Sequence, residues 1–277
     1  TLIKNEHHLD SPHPHSFYLS PQLGASAPEG GHINRPNNTT ILGAAKFSGK
    51  TKNGWSLGLL ESVTNGMYAE SDLNGQRSET LVEPMTNYLV GRAQKDFNNR
   101  MSFVGAMFTA TNRQSDPLAV SLHKAAYTGG IDFLHQWKDR TYYIEGNVIS
   151  SRVQGTPEAI RETQESIVHM FQRSDATHVG VDPDKTSLTG TGGKLVFGKG
   201  AGVWQYSMGG NWRSPELELN DVGFLRETDL IRQFANLRAQ FLDPSSWYRS
   251  ASLRFSQSST YDFQGNNNRL QYDFRGE

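Results

Sequence analysis

The stretch from Tyr127 to Trp137, YTGGIDFLHQW, decides the fold, because apolar or small residues alternate in it with a more polar set. Side chains two positions apart along a β-strand lie on the same face of its sheet. One face of this strand therefore holds Ile131, Phe133 and Trp137, and the opposite face holds Asp132. We expect a long strand with one apolar face and one polar face.

The same alternation recurs along most of the chain. It is clear at residues 204–212, 231–241, 247–256 and 270–275, and weaker at 40–49, 55–63, 87–97, 102–111, 142–153 and 194–199. Together with the strand at 127–137, these runs predict about eleven strands. Several are about 10 residues long or longer, which suits tilted membrane strands better than the five or six residues usual in soluble sheets.

The connections between these runs alternate in length. Close turns are predicted at 49–53, 98–101, 139–141, 200–203 and 243–246, and long connections at 64–83, 113–122, 154–191, 214–226 and 259–266. Barrels of bacterial outer membranes have short turns on one side and longer loops on the other. The sequence therefore predicts an all-β, antiparallel, up-and-down transmembrane β-barrel in a bacterial outer membrane. Because complete single-chain barrels usually have an even strand number, we expect only part of the barrel here.

A barrel in a bilayer turns one face of each strand to lipid and the other to its lumen. The residues that we expect to face lipid are Ile131, Phe133, Trp137, Tyr206, Trp212, Phe241 and Leu253. The residues that we expect to line the lumen, either as ion-pair struts or as attractors of solutes, are Asp132, Arg232, Arg238, Arg254, Arg269 and Asp273. All five tryptophans lie near predicted strand ends, where bilayer interfaces hold aromatic rings.

One helix is predicted near 157–172, inside the longest connection. Thr156 can cap its first turn, Pro157 suits the first helical position, and an apolar stripe follows at Ile160, Gln164, Ile167, Val168 and Phe171. Such a helix could fold into the lumen as a plug or pack outside as a lid. The pattern does not choose between the two.

The domain organisation follows from these assignments. Residues 1–38 are predicted to be an irregular segment with a strand tip at 17–19, and residues 39–277 to form the barrel domain. The chain begins without Met or an apolar leader and ends within a strand-like run. We therefore expect a fragment that is truncated at both ends.

Composition argues against several classes of function. The net charge of -1 gives no field that would draw nucleic acid, and the absence of cysteine excludes thiolate metal sites. The histidines at 7, 8, 13 and 15 and the pair Asp182 and Asp184 lack a ligand set that would complete a metal site. The acidic residues Glu216, Glu218 and Asp221 predict a polar loop. We expect no cofactor, no metal and no catalytic constellation.

Four segments resemble a known family. They are residues 39–56 (TTILGAAKFSGKTKNGWS), 127–133 (YTGGIDF), 171–176 (FQRSDA) and 219–225 (LNDVGFL). The family is a domain of unknown function, frequent in Bacteroidetes, that follows a family 9 carbohydrate-binding-like module. The resemblance runs from about residue 39 past residue 224 and weakens after residue 229.

The resemblance implies an outer-membrane barrel at the cell surface. Its partners would be membrane lipid, a glycan or oligosaccharide, and an upstream carbohydrate-binding-like module, and its role surface binding, docking or transport linked to glycan handling. It brings no catalytic residues. Two alternatives stay open from the residues: a soluble all-β module that binds carbohydrate or accompanies a glycoside hydrolase, and a structural barrel whose lumen is plugged.

Overall fold

The computed structural model describes residues 32–34, 36, 38–116, 120–246 and 248–277. The strand tip predicted at 17–19, the histidine tract at 7–15 and Trp247 lie outside the described residues. Strands are labelled β1–β14 in chain order.

Eleven strands form one large antiparallel sheet, as the alternation predicts. Its order is β14-β13-β12-β11-β10-β9-β8-β7-β6-β3-β2, so nearly every strand pairs with its neighbours in sequence. The strands are β2 (Ile41–Lys50), β3 (Trp55–Thr64), β6 (Thr86–Phe97), β7 (Ser102–Arg113), β8 (Ala125–Trp137), β9 (Tyr142–Gln154), β10 (Ser187–Lys199), β11 (Trp204–Arg213), β12 (Leu230–Phe241), β13 (Ala251–Tyr261) and β14 (Asn267–Gly276).

The large sheet does not close into a barrel within the described residues. No strand pairs with the outer side of β2 or of β14, which are its two edges. Because every pair between them is antiparallel, these first and last strands of an eleven-stranded sheet run in the same direction. They therefore cannot pair with each other in an antiparallel manner.

A second, three-stranded sheet contains one strand from residues 1–38, which were predicted to be irregular, and two strands from the connection at 64–83, which was predicted to be a long loop. Its strands are β1 (His32–Asn34), β4 (Met67–Leu73) and β5 (Gln76–Glu83), in the order β1-β4-β5. The turn between β4 and β5 contains Asn74 and Gly75, both with positive φ, and Asp72 accepts a hydrogen bond from the backbone N–H of Gly75. An Asn-Gly pair is a strong hairpin signal, so this hairpin was visible in the sequence.

The strands are paired so that polar positions lie opposite polar positions, and apolar positions opposite apolar ones, in the central rows of the sheet. One row of cross-strand partners is polar or glycine throughout: Lys50, Ser56, Gln94, Gly105, Asp132, Asn147, Lys194, Asn211, Arg232, Thr260 and Arg269. The adjacent row points to the other face and has no charged member: Gly49, Leu57, Ala93, Ala106, Ile131, Val148, Gly193, Trp212, Ile231 and Tyr261. In these two rows the sheet therefore has one polar face and one apolar face. Elsewhere the apolar face also carries polar side chains, among them Gln233, Gln257 and Ser259, which form hydrogen bonds with one another.

The helix α1 (Pro157–Glu165) is shorter than predicted. Thr156 caps it by accepting a hydrogen bond from the N–H of Ala159, and Ser166 ends it with an extended backbone conformation. Ile167 is consequently 88% exposed, although the predicted stripe included it. No helix among the described residues is long and apolar enough to cross a membrane.

The main hydrophobic cluster lies between α1 and the polar face of the sheet. Ile160 and Phe171 pack there against Ala126, Val153 and Leu188. These last three are cross-strand partners on β8, β9 and β10, and each lies six positions from a member of the polar row, hence on the same face. The helix therefore packs on the polar face, at the end of the strands where the long connections are.

The alternation of short and long connections holds except at the last two. Turns at 51–54, 98–101, 138–141 and 200–203 are short, and connections at 65–85, 114–124, 155–186 and 214–229 are long. The connection 242–250 is longer than the predicted turn at 243–246, and 262–266 is shorter than the predicted loop at 259–266. The strand β13 starts later and ends later than the sequence suggests, which shifts both connections.

Candidate functional site

The apolar face of the large sheet is open over its whole width. In the middle of β6 this face carries only Gly91 and Ala93. Each of the other ten strands exposes at least one large apolar side chain on it: Phe47, Leu57, Leu59, Val104, Phe108, Ile131, Val148, Leu195, Met208, Ile231, Leu237, Leu253, Phe255, Leu270, Tyr272 and Phe274. Soluble monomers rarely expose contiguous apolar patches beyond a few hundred Å². Within the described residues, no second layer covers this face.

The seven residues that were predicted to face lipid all lie on this apolar face. Ile131 and Trp212 belong to its central row, and Phe133 lies one row nearer the short turns. Trp137 and Tyr206 share a row with Phe255 and Phe274, and Leu253 and Phe241 lie beside them near the same end. The strand alternation therefore assigned these side chains to one surface.

Aromatic rings form a contiguous line along the short-turn end of the apolar face. Trp137 lies 5.8 Å from Tyr142 and 6.2 Å from Phe197, measured between ring centroids, and Phe197 lies 6.0 Å from Tyr206. Trp55, Phe97 and Trp204 stand at strand ends on the same side. Tyr127 lies toward the opposite end, whereas Trp212 belongs to the central row with Ile131. The short-turn end therefore carries a band of rings of the kind that bilayer interfaces hold.

The polar face carries ion pairs among its first seven strands, β2 to β10. Arg92 contacts both carboxylate oxygens of Asp132, and Lys194 donates to Glu145 at 2.8 Å. Lys50 donates to Asp96 at 2.8 Å near the short turns. Asp132, one of the six polar residues predicted from the alternation, thus acts as a strut between β6 and β8.

The other five predicted polar residues lie together on β12, β13 and β14. Arg238, Arg254 and Arg275 are cross-strand partners in one row, and Arg232 and Arg269 flank Thr260 in another. The carboxylate of Asp273 contacts Arg275 at 3.1 Å. Among the described residues, no carboxylate pairs with Arg232, Arg238, Arg254 or Arg269.

The polar face of β9 and β10 is covered at its long-connection end by residues 214–225. The side chain of Leu217 is fully buried beside Gly190 and Gly192, where a Cβ at Gly190 would lie 2.2 Å from the backbone nitrogen of Leu217. The N–H of Glu218 donates to the hydroxyl of Ser151 on β9 at 3.0 Å. The glycines of β10 therefore make room for this segment, which together with α1 covers the polar face of β8–β10 at the long-connection end.

Buried charges hold that segment in place. Arg113, at the end of β7, donates to Glu83 at 3.0 Å and to Asp221 at 2.6 Å, and its side chain is 9% exposed. Asp221 also contacts Nδ1 of His123 at 2.9 Å. Burial alone would raise the pKa of Asp221, but hydrogen bonds with His123 and Arg113 and their charges lower it to about 2. One arginine thus ties β5, β7 and the 214–229 connection together.

A hydroxyl, an imidazole and a carboxylate are aligned at the same place. His123 Nε2 lies 2.7 Å from the hydroxyl of Thr163, and Nδ1 faces Asp221. A narrow cavity of about 260 Å³ lies beside them, between α1 and residues 214–221. The hydroxyl of Thr163 also donates a hydrogen bond to the carbonyl of Ala159 at 2.9 Å. This alignment fixes the imidazole ring between helix and loop.

A second buried histidine pair anchors the start of the same connection. His169 is fully buried, its Nδ1 donates to the carbonyl of Pro215 at 2.7 Å, and its Nε2 contacts Glu218 at 2.9 Å. Glu218 and Asp221 lie in a loop, as predicted, but their carboxylates are only 6% and 9% exposed and both are paired, which the sequence pattern did not indicate. In the described part of the chain, no three His, Cys, Asp or Glu side chains converge as metal ligands.

The comparison with protein families gives one match. The model of a domain of unknown function, DUF5916, matches residues 20–275, which is most of the chain. The chain belongs to the DUF5916 family. The match extends beyond the segments 39–56 to 219–225 on which the resemblance was recognised, and it includes β12–β14. None of the curated proteins compared with the chain matches it.

The low pKa of Asp221 gives this DUF5916 chain a defined acid sensitivity. A carboxyl whose pKa is lower in the folded protein stabilises it above the unfolded pKa of about 3.9, and this contribution disappears as the pH falls through the folded pKa. We expect the free energy of unfolding to decrease by about 2 kcal/mol between pH 5 and pH 2 on account of Asp221. Denaturant titrations of the wild type across this range measure the decrease.

The Asp221→Asn variant is the control for that measurement. The pKa of Asp262 is also lowered, because backbone and side-chain hydrogen bonds from Asn266 outweigh the effect of burial. Its contribution to the free energy of unfolding therefore also decreases as the pH falls. The variant keeps Asp262 and loses only the contribution of Asp221. If the variant and the wild type lose equal stability on acidification, Asp221 is not the group responsible.

Proposed function

We propose that this chain forms part of the wall of a β-barrel in a bacterial outer membrane, and that the barrel binds, docks or transports a glycan-related ligand. The observation that carries the proposal is the uncharged row that crosses ten strands beside a polar row that crosses all eleven. In a barrel wall the first row would contact lipid and the second the lumen. The glycan component follows the family resemblance, including an upstream sugar-binding module as a partner.

The dimensions of the sheet support this proposal. Its strands contain 10 to 13 residues, and at about 3.3 Å per residue and a tilt of about 45° they reach across a hydrocarbon layer of about 25–30 Å. A soluble sandwich with one polar face would need a second sheet over the apolar face. The exposure of Ile131, 61%, argues against such a cover within the described residues.

Membrane insertion also sets a condition on the two open edges. Unpaired backbone groups at a sheet edge are too costly in hydrocarbon, so β2 and β14 require partners there. Because β2 and β14 run in the same direction, closure with antiparallel pairs throughout requires an odd number of additional strands.

A pair of adjacent single-cysteine variants tests the membrane assignment. The chain contains no cysteine, so Val148→Cys and Asn147→Cys each introduce one labelling site, on the apolar and the polar face respectively. We expect an environment-sensitive fluorophore at position 148, but not at 147, to emit at shorter wavelength and to be quenched by spin-labelled phospholipid. The measurement uses the full-length protein reconstituted in phosphatidylcholine vesicles.

The outcome at these two positions separates the rival functions. Equal emission and no lipid quenching at both positions would contradict the membrane proposal and favour the soluble carbohydrate-binding module. Quenching at 147 as strong as at 148 would contradict the assignment of faces. Neither result depends on knowing the ligand.

A structural barrel without a solute path is the second candidate. It is favoured by α1 and residues 214–225, which occupy the polar face of β8–β10 at the long-connection end. Swelling of vesicles in sugars of graded size discriminates between the two barrels, because only an open lumen lets the sugars enter.

A further inference from the structure

The polar face of β12–β14 has an unbalanced positive charge. It carries five arginines and one carboxylate, Asp273, whereas Arg92 and Lys194 on the earlier strands each contact an acidic partner. Arg238, Arg254 and Arg275 are direct cross-strand partners. Like charges directly opposite each other on neighbouring strands destabilise a sheet.

Two of the three arginines in this row also lack an acidic partner. Asp273 contacts Arg275, but no carboxylate among the described residues pairs with Arg238 or Arg254. Three guanidinium groups in one row with a single carboxylate beside them leave a net positive charge. Guanidinium groups form their strongest hydrogen bonds with anionic oxygens, so this excess points to an external anionic partner.

The spacing of the arginines indicates the shape of that acceptor. Three neighbouring strands span about 10 Å, and the six residues that separate Arg232 from Arg238 span about 20 Å along the strand. A single small anion would reach only part of this area. An elongated molecule with several acidic groups would reach both rows.

The surface between the two rows suits an organic backbone. Phe234, half-buried, lies on the polar face between Arg232 and Arg238, and its cross-strand partners are Gly209 and Ser258. Ser256, which is partly exposed, adds a hydroxyl on β13. An aromatic ring offers an apolar face that an inorganic anion does not use, while the hydroxyl can bond a polar group of the same ligand.

We propose that the polar face of β12–β14 binds an elongated organic polyanion, such as an oligosaccharide that carries several carboxylates. This inference deepens the proposed function by giving the class of its ligand. It depends on the proposed function only because it treats the polar face as the lumen of a barrel. The arginine rows themselves are present whether lipid or water covers the apolar face.

Calorimetric titration of the detergent-solubilised full-length protein with trigalacturonate tests the proposal. We expect saturable binding that weakens as sodium chloride is added, and at least tenfold weaker binding by the double variant Arg238→Gln with Arg254→Gln. The matched control is Arg77→Gln with Arg140→Gln, which removes the same charge from two exposed turn and hairpin positions. The control is expected to bind as the wild type does.

Further ligands and variants decide the remaining points. Maltotriose, which is neutral, is expected not to bind, and tripolyphosphate, which lacks an organic backbone, is expected to bind at least tenfold more weakly than trigalacturonate. Arg254→Lys keeps the charge and is expected to bind within threefold of the wild type. Without ligand, the double variant is expected to unfold at no lower temperature than the wild type, because it removes like-charge repulsion.

The proposal is overturned if trigalacturonate does not bind, or if the double variant and its control bind equally. Tripolyphosphate binding as tight as trigalacturonate would overturn the organic part of the assignment. Loss of binding in Arg254→Lys together with a lower unfolding temperature would mark the arginines as structural and also overturn it. Lipid quenching at position 148 is measured separately, so failure of ligand binding and failure of the membrane proposal are distinguishable.

Discussion

Replacing Ile131 with arginine is expected to lower the free energy of unfolding by about 2–4 kcal/mol when the protein is folded in phospholipid vesicles. Ile131 lies in the middle of β8 and of the uncharged row. A guanidinium at that height would lie near the bilayer midplane, where its desolvation is most costly. Guanidinium titration of the reconstituted variant and wild type measures the difference.

The exposure of Ile131 makes this substitution decisive. The side chain is 61% exposed, so its removal takes away little packing within the protein. In water, exchange of such an exposed side chain usually changes stability by no more than about 0.5 kcal/mol. A large cost therefore reports on what covers the apolar face, rather than on the protein interior.

Gln136→Arg is the matched control on the same strand. Gln136 lies on the polar face near the short turn, so the arginine should be tolerated there at a small fraction of the cost at Ile131. Phe133→Arg, on the apolar face, should resemble Ile131→Arg. Equal tolerance at all three positions would contradict a lipid-facing surface.

Local alternation predicted the strands well, because each strand has one polar and one apolar face and therefore carries its own signal. Ten of the eleven strand positions agree to within a few residues, and β10 alone extends well beyond the predicted 194–199 to Ser187. Glycines at 190, 192 and 193 interrupt the alternation of polar and apolar residues there. A larger side chain at these positions would collide with Leu217 or Trp212, and the alternation within one strand gives no information on such contacts between distant segments.

The polar clusters could not be predicted from local patterns for the same reason. Arg113, His123 and Asp221 are brought together across 98 to 108 positions of sequence, and nothing near Asp221 distinguishes it from a solvated loop carboxylate. Likewise, the alternation placed Arg238 and Arg254 on one face, but only the register between strands makes them direct neighbours. The alternation was therefore enough to assign each side chain to a face of the sheet, but the contacts between side chains depend on how the strands pair.

Replacing Arg113 with methionine is expected to cost about 3–5 kcal/mol, more than any other single change considered. Methionine fills a similar volume but leaves two buried carboxylates without their shared cation: Glu83, whose side chain is 0% exposed, and Asp221, at 9%. Removing one partner of a buried ion pair costs this much because the remaining charge stays desolvated. In the variant His123 can still contact Asp221, whereas the ion pair between Arg113 and Glu83 is lost.

The pH dependence of that cost identifies its origin. Burial without a cation raises the pKa of a carboxyl, so in the variant Asp221 should take up a proton at a higher pH than it does in the wild type, where its pKa is about 2. A raised folded pKa destabilises the protein above it, and the penalty shrinks as the pH falls. The difference between Arg113→Met and wild type should therefore be largest near pH 7 and smaller near pH 4, whereas a loss of packing alone would be independent of pH.

Arg77→Met supplies the comparison for an exposed arginine. Arg77 is 90% exposed and lies 3.5 Å from Asp72 on the β4–β5 hairpin, so its loss should cost less than about 1 kcal/mol. If Arg113→Met costs no more than Arg77→Met, the buried cluster does not hold residues 214–229 against the sheet. If Arg113→Met costs several kcal/mol and also makes residues 214–229 sensitive to protease, then Arg113 holds this connection against the polar face of the sheet.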